Sequence, residues 1–191
     1  ITSKAIPGLS TDIIATFSTG QIAALTTAQV SALKTTQLAV LSTSQVEAFT
    51  PSQVAWLSSL QLSALGEDGI ATFSTADIAA LSSKAVPGLN VSSLSSGQIG
   101  AFTTAQISVL KTLQISTLGT DQVAALSAAQ IAALSTTSIA SLTTDQINAL
   151  GTSQVEALLP LQVMSLSSLQ LSALAAGDTA LGVTTQSSVQ G

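Results

Sequence analysis

The amino-acid sequence predicts an all-α solenoid, a superhelix of short capped helices with one helix for each eight-residue repeat. Three observations lead to this prediction. The repeat fills most of the 191 residues, each repeat carries a helix-start signal in fixed register, and the repeat length does not fit one continuous helix. Short apolar runs such as QVAAL also occur in β-strands, so a β-solenoid is the alternative.

The eight-residue repeats, called octads here, form two arrays. They run in register over residues 1–88 and again over residues 94–173, 21 octads in all. Position 1 is Leu or Phe in 20 octads, position 6 is Ile, Val or Leu in all 21, and position 5 is Gln in 15. The five residues LNVSS (89–93) break the phase, and the pattern is lost over 174–191. We therefore expect a first array, a seam, a second array, and a C-terminal cap or linker.

The consensus L-[ST]-[ST]-x-Q-[IV]-x-A contains a capping box. The hydroxyl at position 2 is placed to accept from the backbone N–H of position 5, and the Gln there to accept from the N–H of position 2. Positions 1 and 6 are then the two partners of a hydrophobic staple. Pro51 and Pro160 fall at position 3, the first helical residue, where proline is favoured. Where position 2 is Lys34, Lys111, Gly119 or Gly151, we expect the following Thr to cap instead.

The repeat length favours many short helices over one long helix. Eight residues advance about 800° around a helix, which leaves a drift of roughly 80° per octad. Positions 1 and 6 would then spiral around a rod without forming a buried face. A helix of one or two turns is unstable alone in water, so stability must come from stacking on neighbouring octads. The Pro-Gly pairs at 7–8 and 87–88 are expected to end helices.

The composition excludes several classes of function. Charged residues are 7% of the chain, against roughly 25% in an ordinary domain. The absence of His and Cys excludes an imidazole base, a thiolate nucleophile and the usual zinc sites. A net charge of −5 with four scattered cations offers no surface for nucleic acid. No apolar run approaches the about 18 residues of a membrane span. We expect no enzyme activity, no cofactor, no nucleic-acid partner and no membrane span.

The candidate site residues favour structural interpretations. The acidic residues are expected at helix starts or in solvent: Asp12, Glu47, Glu67, Asp68, Asp77, Asp121, Asp145, Glu156 and Asp178. Residues 66–69 (GEDG) have the composition of a loop, but they lack the spaced oxygen ligands that calcium requires. The sequence therefore predicts no catalytic, cofactor-binding or metal-binding residue.

Two further positions stand out. Trp56 occupies a position that usually holds a small residue, and Ser165 occupies it in a near-copy of this segment. We expect Trp56 to fill a gap in the packing or to mark an exposed contact patch, rather than to stack on a sugar. Asn90, Val91 and Ser92 form an N-glycosylation sequon in the seam.

Over residues 9–174 the octad consensus resembles octapeptide-repeat tracts of large secreted or surface adhesin-like proteins of proteobacteria. The resemblance implies an extracellular or cell-surface location. Some such proteins are described as haem-utilisation proteins, but without His the single Met164 does not imply haem binding. We expect a self-associating scaffold, filament subunit or adhesin stalk that assembles with itself, end to end or side by side. The alternative is a binding module whose repeated Ser/Thr/Gln face meets a cell-surface protein, a glycan or ice.

Overall fold

Helices are the regular secondary structure of the described part of the chain. The computed structural model describes residues 1–180, with side chains through residue 176. This part of the chain contains short helices joined by bends and no β-strand. The predicted all-α solenoid is confirmed, and the β-solenoid alternative is wrong.

Helices and 3-10 helices (η) follow one another at the spacing of the octads. In order they are η1 (Ser3–Gly8), α1 (Thr11–Ala15), α2 (Thr19–Ala23), α3 (Thr27–Ser31), α4 (Thr35–Leu38), α5 (Thr43–Glu47), α6 (Pro51–Val54), α7 (Ser59–Ala64), α8 (Gly66–Ala71), α9 (Thr75–Ala80), η2 (Val86–Gly88), η3 (Val91–Ser93), α10 (Ser96–Gly100), α11 (Thr104–Ile107), α12 (Thr112–Ser116), α13 (Thr120–Ala124), α14 (Ala128–Ala133), α15 (Thr136–Ala140), α16 (Thr144–Asn148), α17 (Thr152–Glu156), α18 (Pro160–Met164) and α19 (Ser168–Ala180).

The predicted capping box starts most of these helices. At α2 the Gln21 backbone N–H donates to the Ser18 hydroxyl at 3.2 Å, and the Ser18 N–H donates to Gln21 Oε1 at 2.8 Å. The Ser18 backbone is extended, as an N-cap residue requires. Because the same box recurs in octad after octad, each helix restarts in the same register.

The octads with Lys or Gly at position 2 begin differently from our prediction. Lys34 and Gly119 remain the N-cap residues, and the Thr after each is the first residue inside the helix. The same holds at Lys111 and Gly151. The prediction that these threonines cap the helix is wrong. The glutamine half of the box is still present, since the Lys34 N–H donates to Gln37 Oε1 at 2.8 Å.

Successive helices wind into a superhelix in which each helix packs on the one three octads further along. α1 packs on α4, α2 on α5 and α4 on α7, and the pairing recurs after the seam between α10 and α13. Hydrogen bonds from position 5 reach further, as Gln37 Nε2 donates to carbonyls 31 and 28 residues earlier. One coil of the superhelix therefore contains between three and four octads.

The hydrophobic core follows the staple positions. Side chains at position 6, such as Ile22, Val30 and Ile131, are almost completely buried, and leucines at position 1, such as Leu126, are buried beside them. Ala124 at position 7 is exposed. The core is one continuous column along the superhelix, and the predicted inner and outer faces agree with the structure.

The seam acts as a shortened octad. Leu89, Val91 and Leu94 are buried, and η3 replaces the usual α-helix. Gln114 Nε2 donates to the Val86 and Leu89 carbonyls, and Gln122 Nε2 donates to those of Val91 and Leu94. The coil therefore continues through residues 89–93.

The helix ends agree in part with the predicted boundaries. The Pro-Gly pairs end η1 at Gly8 and η2 at Gly88, as predicted. Within the predicted C-terminal cap or linker, residues 174–180 continue α19 and residues 181–191 lie outside the described residues. Among the helices of residues 1–180, none has the length and apolar character needed to cross a bilayer.

Candidate functional site

The glutamine at position 5 links neighbouring coils as well as capping its own helix. Gln53 Oε1 accepts from the Thr50 N–H at 2.8 Å. Its Nε2 donates to the Ile22 and Leu25 carbonyls of the preceding coil at 2.9 and 2.7 Å. The side chain is buried, so its amide is satisfied on both sides within the protein. We call this two-sided arrangement a glutamine clamp.

Most coil interfaces carry clamps. Within the described residues each clamp glutamine donates to at least two carbonyls of the preceding coil: Gln37, Gln45, Gln53, Gln61, Gln98, Gln106, Gln114, Gln122, Gln130, Gln146, Gln154, Gln162 and Gln170. The octad consensus predicts only the capping half. One signal pointed to the other half: a capping box accepts Glu as readily as Gln, yet no octad has Glu at position 5. Glutamine, unlike glutamate, also has an amide N–H that can donate to the preceding coil.

One coil interface has no clamp. The octads between the first and second runs of clamps carry Gly69, Asp77 and Ala85 at position 5, and the seam follows them. We call the contact of residues 66–93 with the preceding coil, residues 38–65, the clamp-free interface. Close backbone packing holds it instead. A Cβ at Gly88 would lie 2.5 Å from the Ser59 carbonyl oxygen, so only glycine fits, and the Ser63 hydroxyl donates to the Gly88 carbonyl at 2.9 Å.

A cavity of about 180 Å³ opens at this interface, lined by Ser63, Glu67, Gly88 and Asn90 among others. Asn90 Nδ2 donates to Glu67 Oε1 at 2.5 Å, and Asn90 Oδ1 accepts from the Ser92 hydroxyl at 2.8 Å. The structure thus brings the sequon and the GEDG segment together. In the part of the chain that is described, no group of three His, Cys, Asp or Glu side chains is placed to hold a metal.

Residues 66–69 do not form the loop that their composition suggested. They are the first turn of α8, which follows α7 after the single residue Leu65. Gly66 has a φ of 70°, a left-handed conformation that favours glycine, and it redirects the chain between the two helices. Glu67 and Asp68 therefore lie at a helix start, where the macrodipole favours negative charge.

Trp56 lies at the same interface, on its outer surface. The side chain is 63% exposed, so the expectation that it fills a gap in the packing is wrong. It borders a shallow cleft of about 530 Å³ whose other walls include Ser58, Ser82 and Lys84. This exposure agrees with the alternative expectation, an exposed contact patch.

The remaining acidic candidates that the structure describes lie at helix starts or in solvent, as predicted. Asp12, Asp121 and Asp145 lie exposed in first helical turns, and Glu47 and Glu156 are exposed. The Asp178 side chain lies outside the described residues. Asp77 is in a first turn as expected, but it is only 6% exposed and therefore not a solvated group.

Comparison with known proteins agrees with this architecture. A family model described as the ALTTAQ repeat matches residues 1–35, 27–59, 108–136 and 128–160, which together make up more than half of the chain. No curated protein matches. Residues 66–93 of the clamp-free interface lie outside all four matches. The chain belongs to the ALTTAQ repeat family.

Proposed function

We propose that this protein is a non-catalytic structural element outside the cell, a rod that stacks end to end with further copies as a scaffold, filament or stalk. The observation that carries the proposal is that the two end coils expose complementary halves of the glutamine clamp. A solenoid whose ends repeat its interior is prone to end-to-end association. Such a head-to-tail contact is heterologous and propagates into open assemblies.

The N-terminal end presents amide donors. Gln21 is exposed. Gln29 is half-buried, and its Nε2 donates only to the Ile1 carbonyl, whereas interior clamps donate to at least two carbonyls. Gln21 Oε1 caps its own helix, but Gln21 Nε2 meets no acceptor within the described residues. Phe17 and Leu25 beside them are half-buried. This end therefore offers the donor side of a clamp next to apolar surface.

The C-terminal end presents the matching acceptors. The carbonyls of Val155 and Leu158 receive no glutamine amide within residues 1–180, although interior octads receive one at both positions. Val163 is half-buried and Leu171 is 41% exposed, whereas interior residues at position 6 are buried. A second copy placed on this end would repeat the interior contact.

A charge at the C-terminal end should block the stacking. We expect Leu171→Glu to shift the protein from elongated oligomers to monomers, because the carboxylate would be buried without a partner. Sedimentation velocity over a range of protein concentrations measures the shift. The matched control is Leu169→Glu, two residues away in α19 and 72% exposed, which should assemble like the parent. A parent protein that stays monomeric at every concentration would contradict stacking.

The extracellular location and the non-catalytic role have their support in the sequence. The octads resemble tracts of secreted and surface proteins, and the chain uses neither thiols nor disulfides. Ser and Thr supply 55 of the 191 residues, so hydroxyls make up much of the polar surface. The chain has no His or Cys to act as base or nucleophile.

The second candidate function is a binding module, and exposed Trp56 favours it. The face predicted for this role was wrong in one respect, since its clamp glutamines are buried and Ser and Thr supply most of its polar groups. Trp56 is the only tryptophan and the chain has no tyrosine, so its fluorescence reports on the cleft alone. A shift in emission on adding soluble glycans, abolished in Trp56→Ser, would support binding there. Unchanged emission would contradict it.

A further inference from the structure

Asp77 stands in the clamp-free interface at the position where most octads carry a clamp glutamine. Its Oδ2 accepts from the Ser74 backbone N–H at 2.8 Å and from the Ser74 hydroxyl at 2.6 Å. The capping half of the clamp is therefore intact. Its Oδ1 is buried and has no hydrogen-bond partner within the described residues.

In the other half of the clamp, Asp77 has an acceptor oxygen where glutamine has the Nε2 donor. The preceding clamps, Gln45, Gln53 and Gln61, each donate to carbonyls 31 and 28 residues earlier. The carbonyls 31 and 28 residues before Asp77 are those of Val46 and Phe49. α9 packs on α6 with the same three-octad spacing as other helix pairs, so the register is kept. A carboxylate oxygen thus takes the place of an amide donor in front of backbone acceptors.

A positive charge beside the free oxygen of Asp77 would stabilise this arrangement. A buried carboxylate with one oxygen left without a partner is costly, and neighbouring carbonyl oxygens increase the cost. No lysine is bonded to Asp77 among residues 1–176. The aspartate side chain is one methylene shorter than glutamine, so its free oxygen cannot reach as close to the preceding coil as a clamp amide does.

We propose that a monovalent metal cation, sodium or potassium, binds between Asp77 Oδ1 and the backbone carbonyls of Val46 and Phe49. All the ligands are oxygens, which suit hard cations, and backbone carbonyls replace the hydration shell of such ions in other proteins. Charge balance selects the monovalent class, because one positive charge neutralises the single carboxylate. A divalent ion would leave a net positive charge buried. The cation bridges Asp77 and the preceding coil where the amide donor is missing, and it links the two coils.

Thermal unfolding of the full chain tests the site. The probes are sodium chloride, potassium chloride and tetramethylammonium chloride at equal ionic strength. We expect a higher Tm in sodium or potassium than in tetramethylammonium, which is too large to enter, and a rise with the logarithm of the metal-ion concentration. We expect Asp77→Gln to be at least as stable as the parent in the best salt and to give the same Tm in all three. Asp77→Asn, which keeps the size and loses the charge, should also lose the dependence.

The controls separate this site from general salt effects. Asp121→Asn removes an exposed carboxylate and should keep the full difference between the salts. Equal Tm values for the parent in all three salts would overturn the proposal and leave water in the gap. A larger stabilisation by calcium would overturn the monovalent class. A Tm that rises only as the pH falls, with no difference between the salts, would mean that a proton neutralises Asp77 and would overturn the metal site.

Discussion

Replacing Gln146 with glutamate should lower the free energy of unfolding by about 2–6 kcal/mol. The new side chain can still accept from the Thr143 N–H, as Gln146 Oε1 does at 2.7 Å. It loses the Nε2 donor, which contacts the Ile115 and Leu118 carbonyls at 3.0 and 2.7 Å. Gln146 is 2% exposed, so the buried Leu118 carbonyl loses its partner, at about 1–3 kcal/mol, while the Ile115 carbonyl keeps the Leu118 N–H. The burial of a carboxylate charge beside both carbonyls adds about as much again. Urea unfolding followed by circular dichroism measures the change.

Gln21→Glu is the matched control for this substitution. Gln21 caps its helix in the same way but has no carbonyl in front of its Nε2 within the described residues. Its replacement should change stability by less than about 0.5 kcal/mol, as at other surface positions. Equal losses at the two positions would show that capping, and not the contact between coils, is what the glutamine contributes.

Leu126→Ala should cost about 2–5 kcal/mol of stability, because it removes a large side chain from the core column and leaves a cavity. Leu126 is buried at position 1, near the middle of the second array. Ala124→Ser, two residues earlier on the exposed face, should cost less than about 0.5 kcal/mol. Denaturant unfolding of both variants measures the difference. Equal costs would mean that the inner and outer faces are assigned the wrong way round.

The local parts of this fold could be predicted because their signals are local. The capping box at Ser18 and Gln21 spans four residues, and it fixes both the start of the helix and the face that points inward. The partners of the glutamine Nε2 could not be predicted, because they lie about one coil away and depend on how many octads fill a coil. The caps at Lys34 and Gly119 were predicted wrongly for a physical reason. The glutamine alone fixes the helix start, so the next threonine enters the helix.

The candidate site was less predictable than the fold. Residues 66–69 resemble a loop in composition, but a single left-handed glycine lets two helices follow each other almost without a gap. The prediction that Asp77 lies at a helix start accounts for only one of its two oxygens. Its burial depends on packing against the preceding coil, which no residue near it in sequence indicates. Trp56 illustrates the same limit, since nothing in its octad shows whether position 8 is covered there.

The reach of the clamp has a consequence for how the rod folds. Gln154 and Gln162 bond to carbonyls no more than 31 residues earlier, and the seam shortens this distance to 25 at Gln114. The sequence separation of partners is therefore set by one coil, however many octads the chain contains. Folding rates of small proteins fall as that separation grows relative to the chain. Closing the first coil is expected to be the slow step of folding. Every later octad then packs on a coil that has already formed. A longer rod would therefore gain stability without folding more slowly.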